Sequence, residues 1–126
     1  MKKKIIRRHH TDSTNTYLSR YAGDSDDDLV VVTADYQSNG RGQGTNTWES
    51  EDGKNLLFSM LVKPTGVEAE KQFVLSMAEA LALKEAIDSV IRQSYGGEDV
   101  RLKWPNDIYW RDYKISGTLI ETALSG

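Results

Sequence analysis

The chain lacks cysteine, long apolar runs and any net positive charge. Without cysteine it can form no disulfide and has no thiolate to act as nucleophile or metal ligand, which leaves only carboxylates and the adjacent His9 and His10 as metal-ligand candidates. No apolar run approaches the ~18 residues of a membrane-spanning helix, and no signal-peptide pattern opens the chain. We therefore expect a soluble, cytoplasmic protein with no membrane partner.

The charge distribution argues against a nucleic-acid partner. The formal net charge is -3, which does not favour a broad electrostatic contact with phosphates. Five cations do lie within the first eight residues, but Ile5 and Ile6 stand between them. That mixture is more typical of a terminal strand than of a nucleic-acid-binding arm.

The predicted elements mix helices and strands without strict alternation. Capping residues start a short helix, β-branched and apolar runs predict strands, and a long amphipathic stretch predicts a second helix. The helices are predicted from Asp12 or Ser13 to about Ala22 and over Glu68–Gln93, and the strands over Leu29–Thr33, Asn55–Val62, Val100–Trp104, Ile108–Trp110 and Lys114–Leu124. The order indicates an α+β fold, a mixed and largely antiparallel sheet packed on helices, in a single domain over residues 1–126.

Three details of this scheme matter later. The long helix should bury an apolar face, formed by Phe73, Met77, Ala80, Ile87 and Ile91 and widened by Val74, Leu81, Leu83 and Val90. The last two strands should form a hairpin through Arg111–Tyr113. The glycine-rich stretch from Asn39 to Thr47 has no apolar side chain, so we expect a flexible loop.

That loop is the first candidate for chemistry. Glycines at 40, 42 and 44 would let the backbone approach a ligand and present amides to phosphate oxygens. Arg41 adds a planar fork that suits carboxylates and phosphates. The loop has neither the ending of a Walker motif nor the dinucleotide spacing, and a purely structural hairpin loop is about as well supported.

Two further polar segments have both a structural and a functional interpretation. Lys103, Asn106, Asp107 and Lys114 fall within twelve residues, where strand alternation can place several on one face to bind an anion; a soluble, lysine-bearing edge strand explains them equally well. The segment Asp12–Asn15 is a good helix cap, but its hydroxyls and amide could also bind a polar heterocycle.

Taken in order, these segments resemble the biotin protein ligase family. The motifs are Ser13-Thr14-Asn15, then Gln37 with Gly40-Arg41-Gly42 and Trp48, then Lys103-Trp104-Pro105-Asn106-Asp107 with Lys114, Gly117 and Glu121. The resemblance covers nearly the whole chain, and the Lys-Trp-Pro-Asn-Asp run is highly specific. It implies a fold like the class II aminoacyl-tRNA synthetases and biotin synthetases.

The resemblance also implies an enzyme, its substrates and its partners. A member of this family activates biotin with ATP and Mg²⁺ to biotinyl-5'-AMP and transfers biotin to a lysine of a biotin carboxyl carrier protein. Homodimerisation is left open. Alternatives are a non-catalytic fragment that binds biotin or the carrier, and a lipoate or octanoate ligase or transferase of the same superfamily.

The resemblance assigns roles residue by residue. Lys114 and Arg41 would be catalytic and would hold the reacting carboxylate and α-phosphate. Biotin would also contact Ser13, Thr14, Asn15, Gln37, Gly40, Gly42 and Gln43, whereas the nucleotide would contact Trp48, Lys103, Asn106 and Asp107, with Asp107 as the metal ligand.

Two departures from the family pattern qualify these roles. The family loop carries further arginines where this chain has Gln43, Gly44 and Asn46, so retention of the adenylate should be weaker. The chain begins without a helix-turn-helix before Ser13 and reaches Gly126 soon after the Gly117–Glu121 segment. We accordingly expect the N-terminal portion of a catalytic domain, without repressor function and without the family's carboxyl-terminal β-barrel.

Overall fold

The computed structural model describes residues 2–21, 27–63, 68, 71–96 and 100–122. The chain divides into two compact units, Met1–Thr65 and Gly66–Gly126, and each is described by itself. The single domain expected over residues 1–126 stays a prediction. The α+β class is confirmed, because each unit contains a three-stranded sheet and at least one helix.

The first unit is built on a mixed sheet. Its elements are β1 (Lys3–Thr11), α1 (Thr14–Ser19), β2 (Leu29–Gln37), β3 (Gly40–Arg41), β4 (Thr47–Trp48) and β5 (Leu57–Val62). The sheet order is β1-β2-β5, with β1 parallel and β5 antiparallel to β2. The interpretation of the basic amino-terminal stretch as a strand is therefore confirmed.

The central strand β2 places the core of the first unit. Its alternate residues Val30, Val32 and Ala34 are buried, as expected where one face of a strand packs inward. Leu18 of α1 joins Val30 and Val32 in the core cluster. β2 continues four residues beyond its predicted end, because Tyr36 and Gln37 still pair with the end of β1, and this extension brings Gln37 beside the start of α1.

The short helix ends earlier than predicted. α1 closes at Ser19, because the amides of Arg20 and Tyr21 bond to the carbonyls of Tyr17 and Leu18, three residues back. Such a tightened last turn commonly ends an α-helix. Ala22 lies outside the described residues, as does most of the predicted surface connection Gly23–Asp28.

The glycine-rich loop is not wholly irregular, contrary to the prediction. β3 and β4 form a small antiparallel hairpin with Gly40 opposite Trp48 and Arg41 opposite Thr47. The amide of Gly42 also donates to the carbonyl of Asn46 at 2.8 Å. Backbone pairing supplies the order that the apolar pattern could not indicate. β5 then begins at Leu57, two residues later than predicted.

The second unit packs a helix on an antiparallel sheet. Its elements are α2 (Gln72–Tyr95), β6 (Val100–Lys103), β7 (Asp107–Trp110) and β8 (Tyr113–Gly117), in the sheet order β6-β7-β8. The predicted hairpin is confirmed, with Arg111 at φ 56° in its turn. The predicted extension of the last strand toward Leu124 is wrong over Thr118–Thr122, which is described without strand structure, and Leu124 itself lies outside the described residues.

The predicted burial of the long helix is confirmed only in part, because Ala80 is buried and Leu83, Ile87 and Ile91 are half-buried. α2 starts four residues later than expected and ends two residues later, and Ala80 is its buried residue. Phe73, Met77, Leu81 and Val90 are 45–63% exposed. Polar contacts reach the helix at Gln72, Ser76 and Glu79, so a neighbour along the helix does not by itself bury the apolar residues beside it.

Candidate active site

The start of α1 is held by short polar contacts. Ser13 caps the helix, and its Oγ accepts from the amide of Thr16 at 3.3 Å. The Asp12 carboxylate accepts from the amide of Ser13 at 2.7 Å, and that bond lowers the pKa of Asp12. Asp12 also accepts from Arg20 at 3.1 Å. The predicted cap is confirmed, and these contacts fix the direction in which the following residues enter the helix.

A chain of hydrogen bonds joins α1 to two strands. The amide nitrogen and the hydroxyl oxygen of Thr14 both contact Gln37 Oε1, at 2.8 and 3.1 Å. The Thr14 hydroxyl lies 2.7 Å from that of Ser59, and the Ser59 hydroxyl donates to Asn15 Oδ1. Ser13, Thr14 and Ser59 are buried, whereas Asn15 and Gln37 are half-buried. We call Thr14, Asn15, Gln37 and Ser59 the polar cluster.

The hairpin β3–β4 lies against this cluster. A Cβ on Gly40 would overlap the carbonyl oxygen of Trp48 and approach Gln37 Nε2 to 3.0 Å, so only glycine allows this close packing. Arg41 Nε donates to Thr16 Oγ1 at 3.2 Å. A cleft of about 380 Å³ opens here, lined by residues 36–40 and 47–50. Gln37 and Trp48 both line that cleft.

In the second unit, one sheet face carries the predicted charges. Lys114 Nζ lies 3.2 Å from Asp107 Oδ1, and both side chains are about one-third exposed. Lys103 is opposite Asp107 in the register of β6 and β7, and its Nζ lies 5.6 Å from the centre of the Tyr109 ring. Tyr109 in turn is opposite Lys114. The Lys114–Asp107 pair and the Lys103 ammonium over Tyr109 thus lie on one sheet face, a suitable surface for an anionic ligand with a bound cation.

The turn between β6 and β7 is tied to α2. Asn106 Oδ1 accepts from the Ser76 hydroxyl at 3.1 Å, and the exposed Trp104 ring lies 6.1 Å from Phe73. Nearby, the Thr118 hydroxyl donates to Glu79 Oε1 at 3.4 Å, while burial raises the pKa of Glu79. Within the described residues, Glu79 Oε2 is buried without a hydrogen-bond partner.

The structure brings together many, but not all, of the predicted site residues. Thr14, Asn15 and Gln37 share one network, and Asp107 and Lys114 form an ion pair. Gln43 is exposed on the hairpin loop. Arg41 and Lys114 belong to different units, and their action on one anionic centre stays a prediction.

The metal-ligand candidates are not gathered. Among residues 2–21, 27–63, 68, 71–96 and 100–122, no three His, Cys, Asp or Glu side chains come together to hold an ion. His9 and His10 instead pair with separate carboxylates, those of Asp35 and Asp52. A single carboxylate at Asp107 nevertheless fits a Mg²⁺ ion that takes its other ligands from phosphates and water.

The residue that the sequence analysis missed is Ser59. It stands among apolar residues in β5, at a position whose neighbours Leu57 and Leu61 face inward. A serine on the core-facing side of a strand is unusual, because a buried hydroxyl needs a partner. That position was the available signal. Thr16, which accepts from Arg41, was likewise not singled out as a binding residue.

Solved structures share this fold. Biotin protein ligase from Leishmania major in complex with biotinyl-5-AMP matches with a TM-score of 0.74 and 30% identity, over 95% of this chain and 52% of that one. Biotin protein ligase from Aquifex aeolicus in complex with biotin and ATP matches with a TM-score of 0.74 and 31% identity, over 95% and 47%. The architecture is therefore that of the biotin protein ligases.

The sequence comparison gives the family. The model of the Biotin/lipoate A/B protein ligase family matches residues 8–126, and the chain belongs to that family. The bifunctional ligase/repressor BirA of Escherichia coli K12 is 34% identical over 110 residues, which are 87% of this chain and 32% of that protein. The chain thus spans about a third of that relative and about half of each solved structure.

Within the described residues, neither helix combines the length and apolar character needed to cross a bilayer.

Proposed function

We propose that this chain takes part in the ATP-dependent activation of biotin and its transfer to a lysine of a biotin carboxyl carrier protein. In the first step a carboxylate oxygen of biotin attacks the α-phosphorus, the bond to the β-phosphate oxygen breaks, and pyrophosphate leaves. In the second step the lysine amine, after losing a proton, attacks the carbonyl carbon and AMP leaves. The E. coli relative is named a ligase, and the L. major structure holds biotinyl-5-AMP.

The observation that carries this proposal is the polar cluster beside the cleft. The ureido ring of biotin offers one carbonyl acceptor and two N–H donors, so its pocket must supply both donors and acceptors. Thr14, Asn15 and Gln37 supply hydroxyl and amide groups whose directions are fixed by mutual hydrogen bonds. Ser13 adds a buried hydroxyl at the same helix start. Preorganised groups of this kind bind a ligand without a large ordering cost.

Charge stabilisation is assigned to Arg41 and Lys114. Both steps develop negative charge on oxygen, which fixed cationic donors stabilise. Arg41 is oriented by its bond to Thr16 and can offer its guanidinium to the carboxylate and α-phosphate. Lys114 lies in an ion pair with Asp107 and would exchange part of that contact for the reacting anion.

The nucleotide is assigned to the cleft wall and to the turn after β6. Trp48 would contact adenine together with Asn106, while Lys103 and Asp107 would order the phosphates. A bound Mg²⁺ would neutralise phosphate charge. Asp107 is the residue that would hold it, because its carboxylate fits a cation that gains most of its ligands from ATP and water.

The hairpin loop sets how firmly the adenylate is held. Gly40 and Gly42 allow close backbone contact with biotin, whereas the exposed Gln43 replaces a family arginine with a neutral donor. We infer weaker retention of biotinyl-AMP than in arginine-bearing relatives. A cytoplasmic location stays a prediction from the sequence, and homodimerisation stays open.

Two measurements test the proposal. Calorimetric titration should detect biotin binding, and biotin- and Mg²⁺-dependent exchange of labelled pyrophosphate into ATP should detect the first step. Lipoate and octanoate serve as competitors for biotin. The variant Lys54→Gln, on the exposed turn before β5, serves as a control that should behave as the wild type. Biotin binding without exchange would favour the non-catalytic alternative, and preferential binding of lipoate would favour the other branch of the family. Absence of all binding would refute the proposed function.

A further inference from the structure

Thr16, in the first turn of α1, makes hydrogen bonds in three directions. Its amide nitrogen donates to the Ser13 hydroxyl oxygen at 3.3 Å, and its carbonyl oxygen accepts from the Ser19 hydroxyl at 2.7 Å. Its own hydroxyl oxygen, Oγ1, accepts from Arg41 Nε at 3.2 Å, across 25 residues of chain. Thr16 therefore has its backbone fixed inside α1 while its side chain reaches the β3–β4 hairpin.

Arg41 is held at both ends of its side chain. Its backbone pairs with that of Thr47 in the hairpin, which the bond from the Gly42 amide to the Asn46 carbonyl closes. At the other end, its Nε donates to Thr16. Because the guanidinium is planar and its N–H donors form a rigid fork, a bond from Nε also sets the directions of the donors on the two terminal nitrogens. The contact with Thr16 therefore directs the whole fork.

The acceptor on Thr16 suits a cation that must keep its charge. A hydroxyl is neutral, so it orients the guanidinium without cancelling the positive charge, whereas a carboxylate at the same place would form an ion pair. Thr16 and Arg41 are both half-buried, and β-branching restricts the side-chain rotamers of a threonine within a helix. The hydroxyl is therefore an acceptor held in a fixed place.

We propose that Thr16 is a positioning residue for adenylate formation, which orients the guanidinium of Arg41 toward the reacting carboxylate and α-phosphate. The inference rests on the proposed function, in which Arg41 stabilises negative charge at that centre. Thr16 acts through Arg41 and is assigned no contact with the ligand. A donor that is oriented in advance stabilises developing charge without being ordered during the reaction.

The effect of Thr16 should fall on the rate of the first step more than on biotin binding. The polar cluster, which is assigned to the ureido ring, does not include Thr16, and its hydrogen bonds do not need the Thr16 hydroxyl. Loss of that hydroxyl leaves the charge of Arg41 in place but lets the guanidinium take several directions. A contact that matters mainly in the transition state lowers kcat with little change in KM.

The test uses variants that remove the acceptor, keep it, or remove its donor. Thr16→Val replaces the hydroxyl by a methyl group of similar shape, Thr16→Ser keeps the hydroxyl, and Arg41→Met keeps an unbranched stem without the guanidinium. Thr16→Val is also combined with Arg41→Met. Thr45→Val, the same change at an exposed position of the hairpin loop, is the matched control.

The rate is measured as biotin-dependent exchange of pyrophosphate into ATP, and the order of the guanidinium as the NMR order parameter of the Arg41 Nε–H bond, which needs no ligand. We expect Thr16→Val to lower kcat by about fivefold to twentyfold and to change KM for biotin by less than about twofold, as for a half-buried hydrogen bond to a charged group. The order parameter should fall in Thr16→Val only. Thr16→Ser and Thr45→Val should stay within about twofold of the wild type, and Thr16→Val should have no further effect when Arg41 is already methionine.

A Thr16→Val effect that persists in the Arg41→Met background would assign Thr16 a structural role and overturn the inference. A Thr16→Ser variant as slow as Thr16→Val, or an order parameter of Arg41 that Thr16→Val leaves unchanged, would overturn it as well. Thr16→Ala, which favours the helix, replaces Thr16→Val if thermal unfolding shows that the valine disrupts the fold. If the wild type neither binds biotin nor exchanges pyrophosphate, the proposed function fails, while the order parameter still decides whether Thr16 orients Arg41.

Discussion

The hydroxyl of Thr14 lies 2.7 Å from the hydroxyl of Ser59, 45 residues further along the chain. Because Ser59 also donates to Asn15 Oδ1 and Thr14 also contacts Gln37, this one contact completes the connection between α1, β2 and β5. Two hydroxyl protons are shared among three contacts: Ser59 donates to Asn15 Oδ1, so the single proton of the Thr14 hydroxyl goes either to Ser59 or to Gln37 Oε1. A residue outside the recognised motif thus orients residues within it.

Ser59→Ala should weaken biotin binding by about tenfold. The substitution removes the hydroxyl that contacts both Thr14 Oγ1 and Asn15 Oδ1, and the loss of a buried hydrogen bond costs about 1–3 kcal/mol. Calorimetric titration with biotin measures the change. Ser89→Ala, at an exposed position on α2, is the control and should bind as the wild type. Unchanged affinity in Ser59→Ala would show that the serine orients nothing that biotin contacts.

Gly40→Ala should disrupt the β3–β4 hairpin. The new methyl group would overlap the Trp48 carbonyl oxygen and press on Gln37 Nε2, and such overpacking costs about 1–3 kcal/mol. Biotin affinity should fall by about tenfold while the far-ultraviolet circular dichroism of the folded protein is retained. Thr45→Ala, exposed in the same loop, should bind normally. A Gly40→Ala protein with wild-type affinity would contradict the role given to this close packing.

Lys114→Ala should reduce adenylate formation by about 100- to 1000-fold, because a fixed donor to developing charge is removed. The fold should survive, since the side chain is about one-third exposed. Pyrophosphate exchange measures the rate, and thermal unfolding checks the structure. Lys114→Arg should recover only part of the activity, because its planar fork differs from a point charge. A Lys114→Ala variant with normal exchange would remove this lysine from its assigned role.

Glu79→Gln should stabilise the protein at neutral pH. Burial raises the pKa of Glu79, so the folded state binds a proton more tightly than the unfolded chain. Stability is therefore lost as the pH rises from the unfolded value of 4.5 through the raised pKa, and glutamine removes this loss. We expect Tm to increase by ~2 °C at pH 7.

The difference in Tm between Glu79→Gln and the wild type should vanish below about pH 4, where both side chains are neutral. Glu85→Gln, exposed on the same helix, should change Tm little at either pH. A stabilisation of Glu79→Gln that persists at low pH would assign the effect to packing rather than to ionisation.

Local pattern determined the elements of this protein. The β-branched run from Leu29, the apolar run before Lys63 and the polar start at Ser13 each fix a strand or a helix through near-neighbour preferences. Element type was accordingly predictable. Boundaries were less so, because β2 continues to Gln37 only through its pairing with β1.

The resemblance to the biotin protein ligase family, rather than local pattern, identified most of the candidate site. The motifs of that family, in their order along the chain, contain Thr14, Gln37, Asp107 and Lys114. The structure places Thr14 in contact with Gln37 in the first unit, and Asp107 in contact with Lys114 in the second. The apolar stripe of α2 was only partly informative, because periodicity shows which face is apolar but not which of its residues a neighbour covers.

The sequence alone determined the types of the helices and strands and the motifs whose residues have the right chemistry, since both depend on spacing over a few residues. Tertiary structure decided which partners those residues have. Ser59 reaches Thr14 across 45 residues, and His10 reaches Asp52 across 42. Such contacts depend on strand register, which no local spacing contains.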